Sequence, residues 1–146
     1  MTAKLTIDGA CAHPAALDWP DVDALATGAA RVDDTAALSP KVRGQGVRLA
    51  ALLDRAQPLP TATHVMIHDD GDYRACLTLA EARAGAVLAH ALDGVPLPDA
   101  QGGPLRLLLP THENLCLSVK RVVRVELLTK AAPDTVPRPT TTLRAK

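Results

Sequence analysis

The 146-residue chain contains no phenylalanine, and Trp19 and Tyr73 are its only tryptophan and tyrosine. Recognition modes that stack bases or sugars on aromatic faces therefore have almost nothing to work with. Net charge is lacking too: 16 Lys and Arg balance 16 Asp and Glu, so no global field draws the chain to nucleic acid or to an anionic membrane, and neither partner is expected. No apolar run reaches the roughly 18 residues of a membrane span. The N-terminal MTAKLTIDGA has no apolar h-region, so the expected location is the cytoplasm.

Clustered cysteines are also missing. Cys11, Cys76 and Cys116 are odd in number and widely spaced, which excludes a disulfide framework and a CxxC redox or zinc motif and leaves each as a small buried hydrophobe. No G-x-S-x-G elbow, P-loop or three-glycine dinucleotide fingerprint occurs, so nucleophilic hydrolysis and nucleotide binding by those routes are unsupported. Gly44-x-Gly46, flanked by Lys41, Arg43 and Arg48, puts backbone amides beside cations, an arrangement that can cradle an anion.

What is present is an apolar fraction of 47%, supplied mainly by Ala, Val and Leu, in a chain of single-domain size. Residues 1–130 read as one domain. Residues 131–146, rich in Pro and Thr, carry too few apolar groups to offset their ordering entropy and read as a mobile tail. Lys4–Asp8 alternates as a strand, and Asp21–Ala26 is at most a short helix. A helix is predicted over Val47–Ala56, where Val47, Leu49, Leu52 and Leu53 share a side before Pro58. Thr63–Ile67 and Tyr73–Leu79 flank Asp69-Asp70-Gly71-Asp72 and form a hairpin, whose aspartates are a solvated turn without the spacing of a calcium loop. A short helix starts at Ala80, and Ala86–Leu92, Leu105–Leu109, Leu115–Val119 and Val122–Leu128 are strand-like runs. The fold class is α+β, a mixed β-rich sheet with short helices.

His64, Met66 and His68 alternate on one strand and so share a face, like a copper ligand set. At ~3.3 Å per residue the two histidines are about 13 Å apart, too far for one metal. A histidine site would need a distant partner such as His90 or His112.

Five segments follow one another in a telling order: Gly46-Val47-x-Leu49-x-x-Leu52-Leu53, Asp69-Asp70-Gly71-x-Tyr73, Leu92-Asp93-Gly94-Val95-Pro96-Leu97, Gly102-Gly103-Pro104-Leu105-Arg106-Leu107 with Pro110, and Ser118-Val119-Lys120. The series resembles the oxidoreductase molybdopterin-binding domain, the fold of sulfite oxidase and its bacterial relatives. Physical sense attaches to the pieces on their own: Gly71 and Gly94 permit tight turns, and Pro104 stiffens the approach to the following strand.

The polar members carry the functional content. Arg106 alternates with Leu105 and Leu107, so it faces away from them, to solvent or into a cleft. Ser118 and Lys120, two apart, would share a strand face where a hydroxyl beside an ammonium suits a phosphate. The resemblance favours the cleft for Arg106, near an anion-binding active site, and implies that Ser118 and Lys120 contact a pyranopterin phosphate.

The same resemblance puts a metal-ligating cysteine near Arg31–Arg43, and none is there. Cys11 lies about 20 residues too early. Cys116 is out of place, and Arg121 stands where the pattern has tryptophan. The expectation is therefore a non-catalytic member with no catalytic residues, no metal ligands and no required cofactor, molybdopterin being the one the resemblance allows. It would bind a small anionic ligand or a protein partner in a basic cleft of Arg106, Ser118 and Lys120. The alternatives are a minimal molybdopterin-dependent oxidoreductase with a non-cysteine metal ligand, or a structural module with no ligand.

Overall fold

The computed structural model describes residues 4–35, 38, 42–109 and 118–135. Its strands divide into two sheets where a single one was expected. In the first, β1 (Lys4–Gly9) pairs antiparallel with β2 (Ala15–Asp18) and parallel with β10 (Arg124–Leu128). β10 then pairs with β5 (His64–His68) and β5 with β6 (Arg74–Thr78), giving the order β2-β1-β10-β5-β6. In the second, β3 (Arg31–Val32), β4 (Gln45–Arg48), β7 (Val87–Leu92) and β8 (Val95–Pro96) run in that order, and β9 (Arg106–Leu108) also pairs with β7.

The period of two explains the first sheet. Leu5, Ile7, Val65, Ile67, Ala75, Leu77, Val125 and Leu127 all point inward and are buried, while Asp8, His68, Arg124 and Glu126 alternate onto the other face. β7 shows no alternation because both of its faces are covered. Leu88 joins the main core, and Ala89 joins a smaller cluster with Val42, Leu97 and Leu108. A register shift between Gln45 and Gly46 leaves His90 bulged and fully buried, with Nε2 2.8 Å from Asp23 Oδ1. The His90 carbonyl accepts from Trp19 Nε1 at 2.6 Å, which ties the first helix to the second sheet.

Three helices close the core. α1 (Trp19–Leu25) starts at a reciprocal cap between Asp18 and Asp21, with Pro20 in its first turn. α2 (Leu49–Ala56) buries Leu49, Leu52, Leu53 and Ala56; it begins two residues later than predicted, because Gln45–Arg48 pairs with β7. α3 (Leu79–Ala84) is capped by Thr78 and Glu81 in the same reciprocal way as α1. No helix among the described residues is long and apolar enough to cross a membrane.

Two local expectations change. The glycines of Gly44-x-Gly46 serve packing and form no anion nest: a Cβ would lie 2.2 Å from Ala91 O at Gly44 and 2.5 Å from Val87 Cγ1 at Gly46. The segment expected to be mobile from residue 131 is tied down where it is described. Thr135 N donates to Arg74 O at 3.0 Å and Asp134 Oδ2 accepts from Cys76 N at 2.6 Å, so the segment covers the open edge of β6. Residues 136–146 lie outside the described residues.

Candidate functional site

Three loops meet where the two sheets come together. The β5–β6 turn is held by Asp69, whose Oδ1 accepts from Gly71 N at 2.8 Å and Tyr73 N at 3.0 Å. The approach to β9 runs through Gly102, at φ +87°, and a cis Gly103–Pro104 bond. The third piece, residues 118–123, joins the sheets by backbone hydrogen bonds: Leu107 N to Val119 O, Arg121 N to Gly102 O, Val122 N to Leu105 O and Val123 N to His68 O, at 2.8–2.9 Å.

Between them lies a cavity of about 310 Å³ lined by Asp69, Tyr73, Arg106, Ser118, Val119, Lys120 and Arg121. That volume sits at the small end of the roughly 300–1,000 Å³ of small-molecule sites. Arg106, Ser118 and Lys120, singled out from the sequence, are thus brought together. Arg106 is half-buried between the buried Leu105 and Leu107, as alternation requires. Its Nε donates to Ser118 Oγ at 3.1 Å and one Nη to the Gln101 carbonyl at 3.2 Å, while Ser118 Oγ donates to Leu107 O at 2.9 Å. These bonds fix the guanidinium without neutralising it. Desolvation pushes its pKa below the usual arginine value.

One step toward this arrangement was misread in the sequence. Ser118 and Lys120 share no strand face, since residues 118–121 form a bend with Arg121 at φ +49°. They reach the cavity because the bend wraps around Gly102. A Cβ there would lie 2.8 Å from Arg106 Cδ and 2.9 Å from Lys120 Cγ, so the missing side chain lets the two cationic chains run side by side.

The sequence reading also missed Asp69, Tyr73 and Arg121 as lining residues. Their signal was present in the Asp-Gly-x-Tyr segment and in the residue after Ser-Val-Lys. Arg121 is half-exposed, with Nε 3.4 Å from Asp70 Oδ1 and one Nη 3.5 Å from Asp99 Oδ1. Among the described residues, neither Arg106 nor Lys120 has an acidic partner within ion-pair distance.

Other candidates do not assemble. His64 Nδ1 is 2.8 Å from Thr63 Oγ1 and His68 Nε2 is 3.0 Å from Glu126 Oε1. No group of three His, Cys, Asp or Glu able to hold a metal occurs among the described residues. Cys11 is buried as expected and Cys76 only partly so. Cys116 and His112 lie outside the described residues.

Among solved structures, the chain is similar to the sulfane dehydrogenase SoxCD from Paracoccus pantotrophus, with a TM-score of 0.67 at 20% identity over 88% of this chain. It spans 38% of that chain's length, so the likeness is one of fold. The family model described as the oxidoreductase molybdopterin binding domain matches residues 2–136. With nearly its whole length matched, this chain belongs to the oxidoreductase molybdopterin binding domain family.

Proposed function

We propose that this family member binds a small oxyanion-bearing ligand between Arg106, Ser118 and Lys120 and supports no catalytic molybdenum centre. The observation that carries the reading is the pairing of a half-buried arginine with a lysine across Gly102, with no carboxylate within ion-pair distance of either among the described residues. A guanidinium partly removed from water, with an exposed ammonium beside it, is favoured when an anion joins them. Hydrogen bonds from a guanidinium and an ammonium to a phosphate, sulfate or carboxylate are charge-assisted, and the planar fork of Arg106 can meet two oxygens at once.

Molybdopterin, which gives the family its description, fits this chain in part. Arg106 and Lys120 are donors for its phosphate, and Ser118, whose hydroxyl proton goes to the Leu107 carbonyl, holds the Arg106 guanidinium in place beside them. Its bound metal supplies redox chemistry elsewhere and calls for a soft ligand. In the stretch Arg31–Arg43 the described residues offer no thiol, and the buried Thr35 hydroxyl is spent on the Val42 carbonyl. The pterin phosphate therefore remains within the ligand class, while a molybdenum-dependent reaction is left out of the proposal.

Two measurements test this. Calorimetric titration with inorganic phosphate should give saturable binding that Arg106→Gln weakens about ten- to a hundredfold, since losing a hydrogen bond to a charged group costs roughly 1.5–3 kcal/mol. Metal and pterin analysis of protein from a host that makes the cofactor should find far less than one molybdenum per chain. Stoichiometric molybdenum would sink the non-catalytic part of the reading, and unaltered phosphate binding in Arg106→Gln would sink the site.

A further inference from the structure

We propose that Arg121 is a third, switchable cation of the cavity, parked on Asp70 and Asp99 in the free protein and transferred to the ligand when a dianion binds. This deepens the oxyanion reading and rests on it.

The argument starts from where Arg121 is anchored. Its backbone is fixed: the N–H donates to Gly102 O at 2.8 Å, and the residue sits at a left-handed φ of +49°. The guanidinium, in contrast, is loosely held. It reaches two carboxylates on separate loops, Asp70 in the β5–β6 turn and Asp99 in the short 3-10 turn before Gly102, at 3.4 and 3.5 Å. All three side chains are well exposed, at 42% for Arg121, 54% for Asp70 and 84% for Asp99. Pairs of that kind are screened by water and each changes an equilibrium by a factor of about five at most.

Arg121 also lines the cavity, together with Arg106 and Lys120. A ligand oxyanion there would sit in a less solvated place than either aspartate, and charge-assisted bonds strengthen as water is withdrawn. A monoanion is matched by Arg106 and Lys120 together. The second charge of a phosphate monoester is what draws Arg121 from its exposed partners. The expected ligand class is therefore a small organic dianion, and the acidic pair Asp70 and Asp99 acts as a competitor that lowers affinity.

Binding of inorganic phosphate to the full chain, followed by calorimetry, tests the transfer in a double-mutant cycle. Asp70→Asn with Asp99→Asn should tighten phosphate binding about three- to fivefold. Arg121→Asn, chosen because asparagine tolerates a left-handed backbone, should weaken it about tenfold, with Arg121→Lys falling between. The decisive reading is the combination: in the Arg121→Asn background, the two aspartate changes should no longer tighten binding by more than about 1.5-fold. Equal tightening with and without Arg121 would mean that the aspartates act only through their general field, and the switch would be overturned. Full affinity in Arg121→Asn would overturn it as well, while leaving Arg106 as an anion site. Loss of phosphate binding in the unmodified protein would instead overturn the oxyanion reading along with the switch.

Discussion

Arg124 and Arg106 are both partly buried arginines on strands, one in each sheet, yet their surroundings are opposite. Arg124 Nε lies 2.9 Å from Asp8 Oδ1 and its Nη2 3.3 Å from Glu126 Oε2, and Glu126 in turn meets His68. The hydrogen bond to Asp8 is the main reason that its pKa is raised, whereas desolvation lowers that of Arg106. A cation with its carboxylates supplied by its own strand and the neighbouring one is part of the fold. A cation whose partners among the described residues are a hydroxyl and a carbonyl is held in shape and left charged, which is what a site for an external anion requires.

The contrast breaks most sharply at Gly102. Gly102→Ala puts a methyl group into the gap between Arg106 and Lys120 and strains a left-handed backbone. Phosphate binding should fall more than tenfold, and urea unfolding should show a loss of about 1–3 kcal/mol. A variant that binds phosphate normally would move the site away from this gap. Arg124→Met attacks the other side of the comparison. It should leave phosphate affinity within twofold and lower stability by about 1 kcal/mol, a modest figure because the network is partly solvated. An affinity change beyond that range would mean that the two regions are coupled.

The smallest effect concerns Cys11, which feels the same Asp8 that holds Arg124. Burial first, and Asp8 second, raise its thiol pKa above the ordinary 9.0. A raised folded-state value gives a stabilising contribution that is fully present below pH 9.0 and is lost as the pH climbs through the folded value. Urea midpoints measured between pH 8 and 10.5 should therefore decline less steeply in Cys11→Ala than in the unmodified protein. Parallel declines would assign the pH dependence to other groups.

Much of this was legible in the chain itself. Local rules sufficed for the β5–β6 hairpin, because aspartates and a glycine between alternating apolar residues allow little else. They also sufficed for the direction of Arg106, opposite to Leu105 and Leu107, but left open whether that side meets solvent or a cleft. The five segments in order led to the right family, since their glycines and prolines fix where the turns between strands fall. Val47 was misassigned because a helical stripe and a strand end look alike over so few residues. The glycines at 44 and 46 were misread because their need for space comes from β7, some 40 residues away in sequence.

By itself, then, the sequence determined the family, the period of each strand and the identity of the basic residues, since these follow from neighbours a few positions apart. Only the tertiary structure decided which charges are neutralised. Asp8 comes to Arg124, and Asp70 and Asp99 to Arg121, across long stretches of chain, while no described carboxylate comes to Arg106 or Lys120. Counter-ions act through distance in space, and distance in space is what the order of residues does not contain.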